Sequence, residues 1–181
     1  MMPKLTLKEF KEYLHSQSQE ELVLELEKLY KLYPEIQIYF QALLLPSGSD
    51  EQFAKTADII SKEFHFKGLP KNPDLRRIKK VIADFAKLQP SPVQLAKLYS
   101  KFAFELMDFI EQYAAEEGYY MPFYNAAKNF LLFVAKNNLQ DEFEEDARKL
   151  VEYEQDYGSD LPDIYFQNFT GPIRKNGKFS E

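Results

Sequence analysis

The sequence predicts an all-α protein of about eight helices, arranged as an antiparallel helical-hairpin array, a bundle or a short solenoid-like packing, in a single compact chain. Three observations lead there. Apolar residues recur at three- and four-residue spacing almost end to end. No stretch sustains the two-residue alternation and hairpin turns of paired strands. Proline, glycine and side chains suited to helix caps punctuate the periodic stretches at intervals of a helix length.

Taken in order, a first short helix reads from Thr6 or Leu7 to His15, with Leu7, Phe10, Tyr13 and Leu14 on one side. In SQEELVLELEKLYKLY, Ser18 and Glu21 have capping-box spacing, so each satisfies a backbone donor left free at the helix start. Leu22, Leu26, Leu29 and Tyr33 continue the apolar stripe. Pro34 has the fixed φ and missing donor that suit a first turn, which makes EIQIYFQALLL a separate third helix. Ser49 or Asp50 caps a fourth, running to about Phe64, and FKGLPKNPD then breaks the chain. That break divides N-terminal hairpins, residues 1–66, from a C-terminal helical subdomain, 67–181, within what reads as one continuous domain.

The fifth helix, about 74 to 88, places Leu75, Ile78, Val81, Ile82, Phe85 and Leu88 on one face, and Arg76, Arg77, Lys79 and Lys80 on the other. Ser91 and Pro92 open a long central helix, 92–117, stopped by Gly118. Its broad apolar stripe, Leu95, Leu98, Phe102, Leu106, Phe109 and Ile110, asks for neighbours on two sides. A seventh helix, Pro122 to Lys136, is apolar nearly all round, whereas an eighth, about 140 to 157, is one-sided and reads as the edge. Connections of about four residues make these three antiparallel neighbours. The tail holds an apolar cluster at Leu161, Ile164, Tyr165, Phe166 and Phe169, and TGPIRKNG reads as a loop or frayed end.

Composition excludes several functions. A chain of 181 residues can bury a sizeable core, and Phe and Tyr must do most of its large-residue packing because Trp is absent. Without a single Cys there is no disulfide, thiolate nucleophile, iron-sulfur cluster or Cys-based zinc site. The charged start MMPKLTLKEFKEYL lacks an apolar signal region, and the longest apolar run, FLLFVA, is far below a bilayer span. A cytoplasmic location and no membrane contact are therefore expected.

Six glycines draw neither a phosphate loop nor a dinucleotide fingerprint, and no Ser sits in a Gly-x-Ser-x-Gly elbow. Glu12 and His15 have the spacing of a di-iron bundle ligand pair, but the second pair is missing, since Lys62 stands three residues before His65. No catalytic residue, metal or cofactor is therefore assigned. The carboxylates Glu116 with Glu117, and the run Asp141 to Asp146, read as solvated helix ends. Glu105 and Asp108 lie on the narrow polar strip of the long helix and would be the pair to watch in a cleft, although Lys101 offers Glu105 an ordinary ion pair.

Two surfaces could bind. The basic face Arg76, Arg77, Lys79 and Lys80 belongs to a stretch, 67–88, that carries a net +5 in a chain of net −6. It suits an acidic partner or a phosphate backbone, and the sequence pI near 5.1 weighs against nucleic acid. Tyr119, Tyr120 and Tyr124 read as an aromatic turn whose hydroxyls meet water, beside core residues Phe123, Phe130 and Phe133.

LTLKEFKEYLHSQSQEELVLELEKLYKLYPEIQIYFQ together with LPDIYFQNF resembles a bacterial domain-of-unknown-function family, which implies an all-helical cytosolic bacterial protein and no particular reaction. The hairpin from Leu5 to Leu26 also resembles SAP DNA-binding modules, but Glu20, Glu21, Glu25 and Glu27 stand where such a module carries positive charge. The leading expectation is a scaffold or adaptor that binds a protein partner or itself. Nucleic-acid binding through the basic face is the alternative, and an enzyme using carboxylates in a helical cleft the third.

Overall fold

The computed structural model describes residues 4–45, 47–66, 69–113, 116–154 and 158–170. Expectations placed on Lys67, Gly68, Ala114, Tyr157, the side chains of Glu116 and Glu117, and the chain beyond Thr170 lie outside that set. The all-α class holds. The described residues form nine helices, and internal packing divides the chain into two units, Met1–Ser49 and Asp50–Glu181.

The first unit contains α1 (Leu7–Ser16), α2 (Gln19–Leu32) and α3 (Pro34–Leu44). Thr6 and Ser18 both close full capping boxes, with Glu9 and Glu21, so the backbone donors at two helix starts are satisfied within one turn. Pro34 opens α3 as expected, and α2 packs on α3. Gly48, the first residue of α4 (Gly48–Phe64), is buried against α3, where a Cβ would fall 2.8 Å from the Gln41 carbonyl carbon. Only glycine admits that approach.

The second unit holds the core. After α4 come α5 (Leu75–Ala86), α6 (Pro92–Tyr113), α7 (Glu116–Lys136), α8 (Gln140–Glu154) and α9 (Leu161–Phe169). The contact of α6 with α7 is the most extensive, and α7 also meets α8 and α9. Phe64, Leu98, Leu106, Phe123, Phe130 and Leu131 are among the side chains sealed inside. Phe64 meets Phe109 edge-on at 6.0 Å, which ties α4 to α6.

Four expectations are corrected. The division falls at 49/50 and not at 66/67, because Ile60 and Phe64 near the end of α4 belong to the same core as Ile78 and Phe109. FKGLPKNPD is not only a break: β1 (His65–Phe66) and β2 (Leu69–Pro70) pair antiparallel, and Lys71 N donates to Phe64 O at 3.0 Å. Helix α6 ends at Tyr113, and α7 begins at Glu116, upstream of Pro122. Pro122 is tolerated because the carbonyl four residues back belongs to Gly118, whose φ of 92° already interrupts the regular ladder. Finally, the late apolar cluster is itself a helix, α9, which packs on α8 and α7, so α8 is not an edge.

Other boundaries follow local chemistry. Ser91 and Gln94 exchange capping hydrogen bonds at 3.2 Å, which fixes the start of α6. Asp74 accepts from the Arg76 and Arg77 amides at the start of α5. Asn138, with φ of 56°, turns the chain between α7 and α8.

Candidate functional site

The basic face of α5 is only partly free for a ligand. Arg77 Nη1 lies 2.9 Å from Glu63 Oε1 and Lys71 Nζ lies 3.1 Å from Glu63 Oε2. The Glu63 side chain is 5% exposed, so two cations of the basic stretch 67–88 neutralise a carboxylate drawn into the core by α4. Withdrawing either would leave a desolvated charge short of a partner. Arg76, Lys79 and Lys80 remain exposed on the outer face. Asp84 is held below its ordinary carboxylate range chiefly by the hydrogen bond from Lys87, with Lys80 adding to the field.

The three tyrosines lie within α7 and not in a turn. Tyr119 packs edge-on against Phe109 at 5.0 Å. Tyr120 OH donates to Glu154 Oε1 at 2.5 Å. Tyr124 OH donates to Asp160 Oδ1 at 2.7 Å, while Lys128 Nζ donates to Asp160 Oδ2 at 2.7 Å and to the Tyr124 hydroxyl at 2.9 Å. Lys128, then Tyr124, hold Asp160 below its ordinary value, and the same bonds raise Lys128. With its carboxylate engaged in this way, Asp160 makes no side-chain cap on α9. The Tyr120 and Tyr124 hydroxyls thus bind neighbouring segments. Of the aromatics expected in the core, Phe123 and Phe130 are fully buried, whereas Phe133 is half-buried against Tyr99.

Glu105 joins α6 to the end of α4. Ser61 Oγ donates to Glu105 Oε1 at 2.6 Å, Lys101 Nζ donates to the same oxygen at 3.0 Å, and His65 Nδ1 lies 3.9 Å from Oε2. Asp108 is pushed up first by burial and then by the Glu105 charge, with His65 opposing. A nucleophilic triad needs the imidazole on the hydroxyl. Here the carboxylate occupies that place, so the arrangement performs an ion pair's task. No group of three His, Asp or Glu suited to a metal occurs among the described residues, and Glu12 instead pairs with Lys8 at 3.9 Å.

Two contacts escaped sequence reading. Asp146, read as part of a solvated run, accepts from Ser100 Oγ at 2.6 Å and links α8 to α6. Glu154 is fully buried, and its Oε2 has no partner among the described residues. Its position was legible, since it stands four residues after Leu150 and seven after Ala147, in phase with the buried stripe.

Residues 1–49 leave most of their apolar side chains uncovered. None of α1, α2 and α3 buries a residue. Of the 18 exposed large apolar side chains among the described residues, 14 belong to this unit. The expected α2 stripe splits: Leu22 and Leu29 are half-buried, but Leu26 is 50% exposed. Val23, Leu26 and Tyr30, with Phe40, Leu44 and Leu45 of α3, line an open groove of about 500 Å³. Its charged edge is supplied by α2, where Lys31 pairs with Glu27 at 3.4 Å. A groove of this volume and lining has the character of a recognition surface.

No family model, no curated protein and no solved structure matches this chain.

Proposed function

We propose that the protein is a helical scaffold or adaptor whose residues 1–49 supply an apolar docking surface for a protein partner. The observation that carries this reading is the imbalance in exposed apolar side chains, 14 of 18 within 1–49, beside a second unit whose apolar side chains form an ordinary core. Apolar area of this kind is driven out of water at about 25 cal/mol per Å², which favours association. An α-helical partner would suit a groove between α2 and α3, with side chains at i, i+3, i+4 and i+7 entering it.

Affinity capture from the cells that make the protein tests the reading, comparing the native chain with Leu26→Arg/Leu44→Arg. Partners retained by the native chain and lost with the variant are expected. If the two recover the same proteins, the groove is not the docking surface.

A further inference from the structure

We infer that the partner of the α2–α3 surface is a second copy of this chain, with α2 pairing antiparallel to α2 about a twofold axis level with residues 28–29. The inference rests on the reading of residues 1–49 as a docking surface and names its occupant.

The first argument is size. A helical unit of fewer than ~50 residues rarely closes a sufficient core alone and is commonly secured by disulfides, a metal or association. The chain has no Cys, and the described residues hold no metal-ligating group. Association remains, for a unit in which α1, α2 and α3 bury no residue.

The second argument is charge, and it selects a copy over a foreign helix. Counting about 100° per residue, Val23, Leu26 and Tyr30 form the groove side of α2 with Gln19 among them, Glu27 and Lys31 follow one edge, and Leu22, Leu29 and Tyr33 the other. A twofold axis between antiparallel helices brings like edge against like edge in reverse order. Leu26 then faces Tyr30 of the other copy, Val23 faces its Tyr33, and Glu27 faces its Lys31, each contact occurring twice. The charged edge is self-complementary and the opposite edge carries no charge. Repulsion between the units is small, because residues 1–49 contain seven Glu against five Lys. In each copy Glu27 and Lys31 already lie 3.4 Å apart along the helix, at 57% and 73% side-chain exposure, so both are accessible for exchange across the axis.

Sedimentation of the full chain over the micromolar range tests this, using Glu27→Lys, Lys31→Glu and their equimolar mixture. The native chain should dimerise, and each variant alone should dimerise about tenfold more weakly, because two opposed pairs become like charges. The mixture should regain native affinity, since the introduced lysine of one chain meets the introduced glutamate of the other. The helical pair within each chain stays broken, so only contact between chains can produce that recovery. A mixture no tighter than either variant, or variants that dimerise like the native chain, overturns the pairing. A monomeric native chain that binds an apolar dye, with binding lost in Leu26→Arg/Leu44→Arg, overturns self-association but leaves the docking surface standing. A monomer that binds no dye overturns both.

Discussion

Residues 1–49 and 50–181 use the same device, amphipathic helices joined by short connections, with opposite outcomes. In 50–181 the apolar faces meet: α6 lies on α7, α8 and α9 close over α7, and Phe130 and Leu106 are sealed. In 1–49, α2 meets α3 and a broad apolar face is left over. The two regions also place their charge differently. The ion pairs of α2 stand in solvent, whereas Glu63 is nearly buried between Lys71 and Arg77. An apolar residue at helical spacing is therefore a core residue only if a second face arrives to cover it.

The widest separation between the regions should appear in their cores. Phe130→Ala should cost about 3–5 kcal/mol in denaturant unfolding, because it opens a cavity in a fully buried site. Leu26→Ala, measured where the chain is monomeric, should cost about 0.5 kcal/mol or less, as expected for a surface side chain. Comparable losses at the two positions would erase the contrast.

The ion pairs come next. Arg77→Met leaves Glu63 desolvated with Lys71 alone and should cost about 2 kcal/mol, below the full loss of a buried pair because one cation stays. Lys28→Met, which removes an exposed pair with Glu25, should change stability by under ~0.5 kcal/mol. Glu63→Gln combined with Arg77→Met should recover part of the first loss, and additive costs in the double variant would argue against a desolvated pair.

Capping distinguishes the regions more finely. Ser18→Ala should remove about 1 kcal/mol of helix stability from α2, read as lost helicity by circular dichroism, because nothing buried in that helix compensates. The matching Ser91→Ala in α6 should lower unfolding stability by a similar amount with little loss of native helicity, since packing on α7 holds that helix.

The smallest effect is acid sensitivity. Glu9 and Glu21 are lowered by the hydrogen bonds of their capping boxes, from Thr6 and Ser18 respectively. A carboxyl group whose folded pKa is depressed contributes stability above its unfolded value and loses it as pH falls through the folded one. Helicity from α1 and α2 should thus be intact at neutral pH and decline on the acid side of the ordinary Glu range. Glu9→Gln/Glu21→Gln should flatten that decline. Asp160 follows the same sign in the second unit, mainly through Lys128, so its carboxyl resonance should titrate at higher pH in Lys128→Met than in the native chain.

Much of the fold was legible because helix starts and stops are local. Ser18, Pro34 and Ser91 each satisfy or omit a backbone donor within one turn, and all three open helices as read. Where a residue's meaning depends on a distant partner, sequence misled. Tyr124 reads as part of a wetted turn, yet it lies within α7 and its hydroxyl donates to Asp160, 36 residues on, while accepting from Lys128 one turn away. Arg77 was read as a binding charge, and its partner Glu63 sits on a different helix. The Ser100 to Asp146 bond spans 46 residues, beyond any periodic argument.

Sequence by itself determined the helical class, the capping boxes, the exclusion of thiol chemistry and the phase of each apolar stripe, since these follow from residue type and 100° periodicity. Only the tertiary structure decided which stripes are covered. It sealed Phe123 and Phe130, turned Lys71 and Arg77 inward to Glu63, and left Val23, Leu26 and Tyr30 open. The physical reason is that periodicity fixes where an apolar face points along its own helix, while burial depends on a second surface brought from elsewhere in the chain or from another molecule.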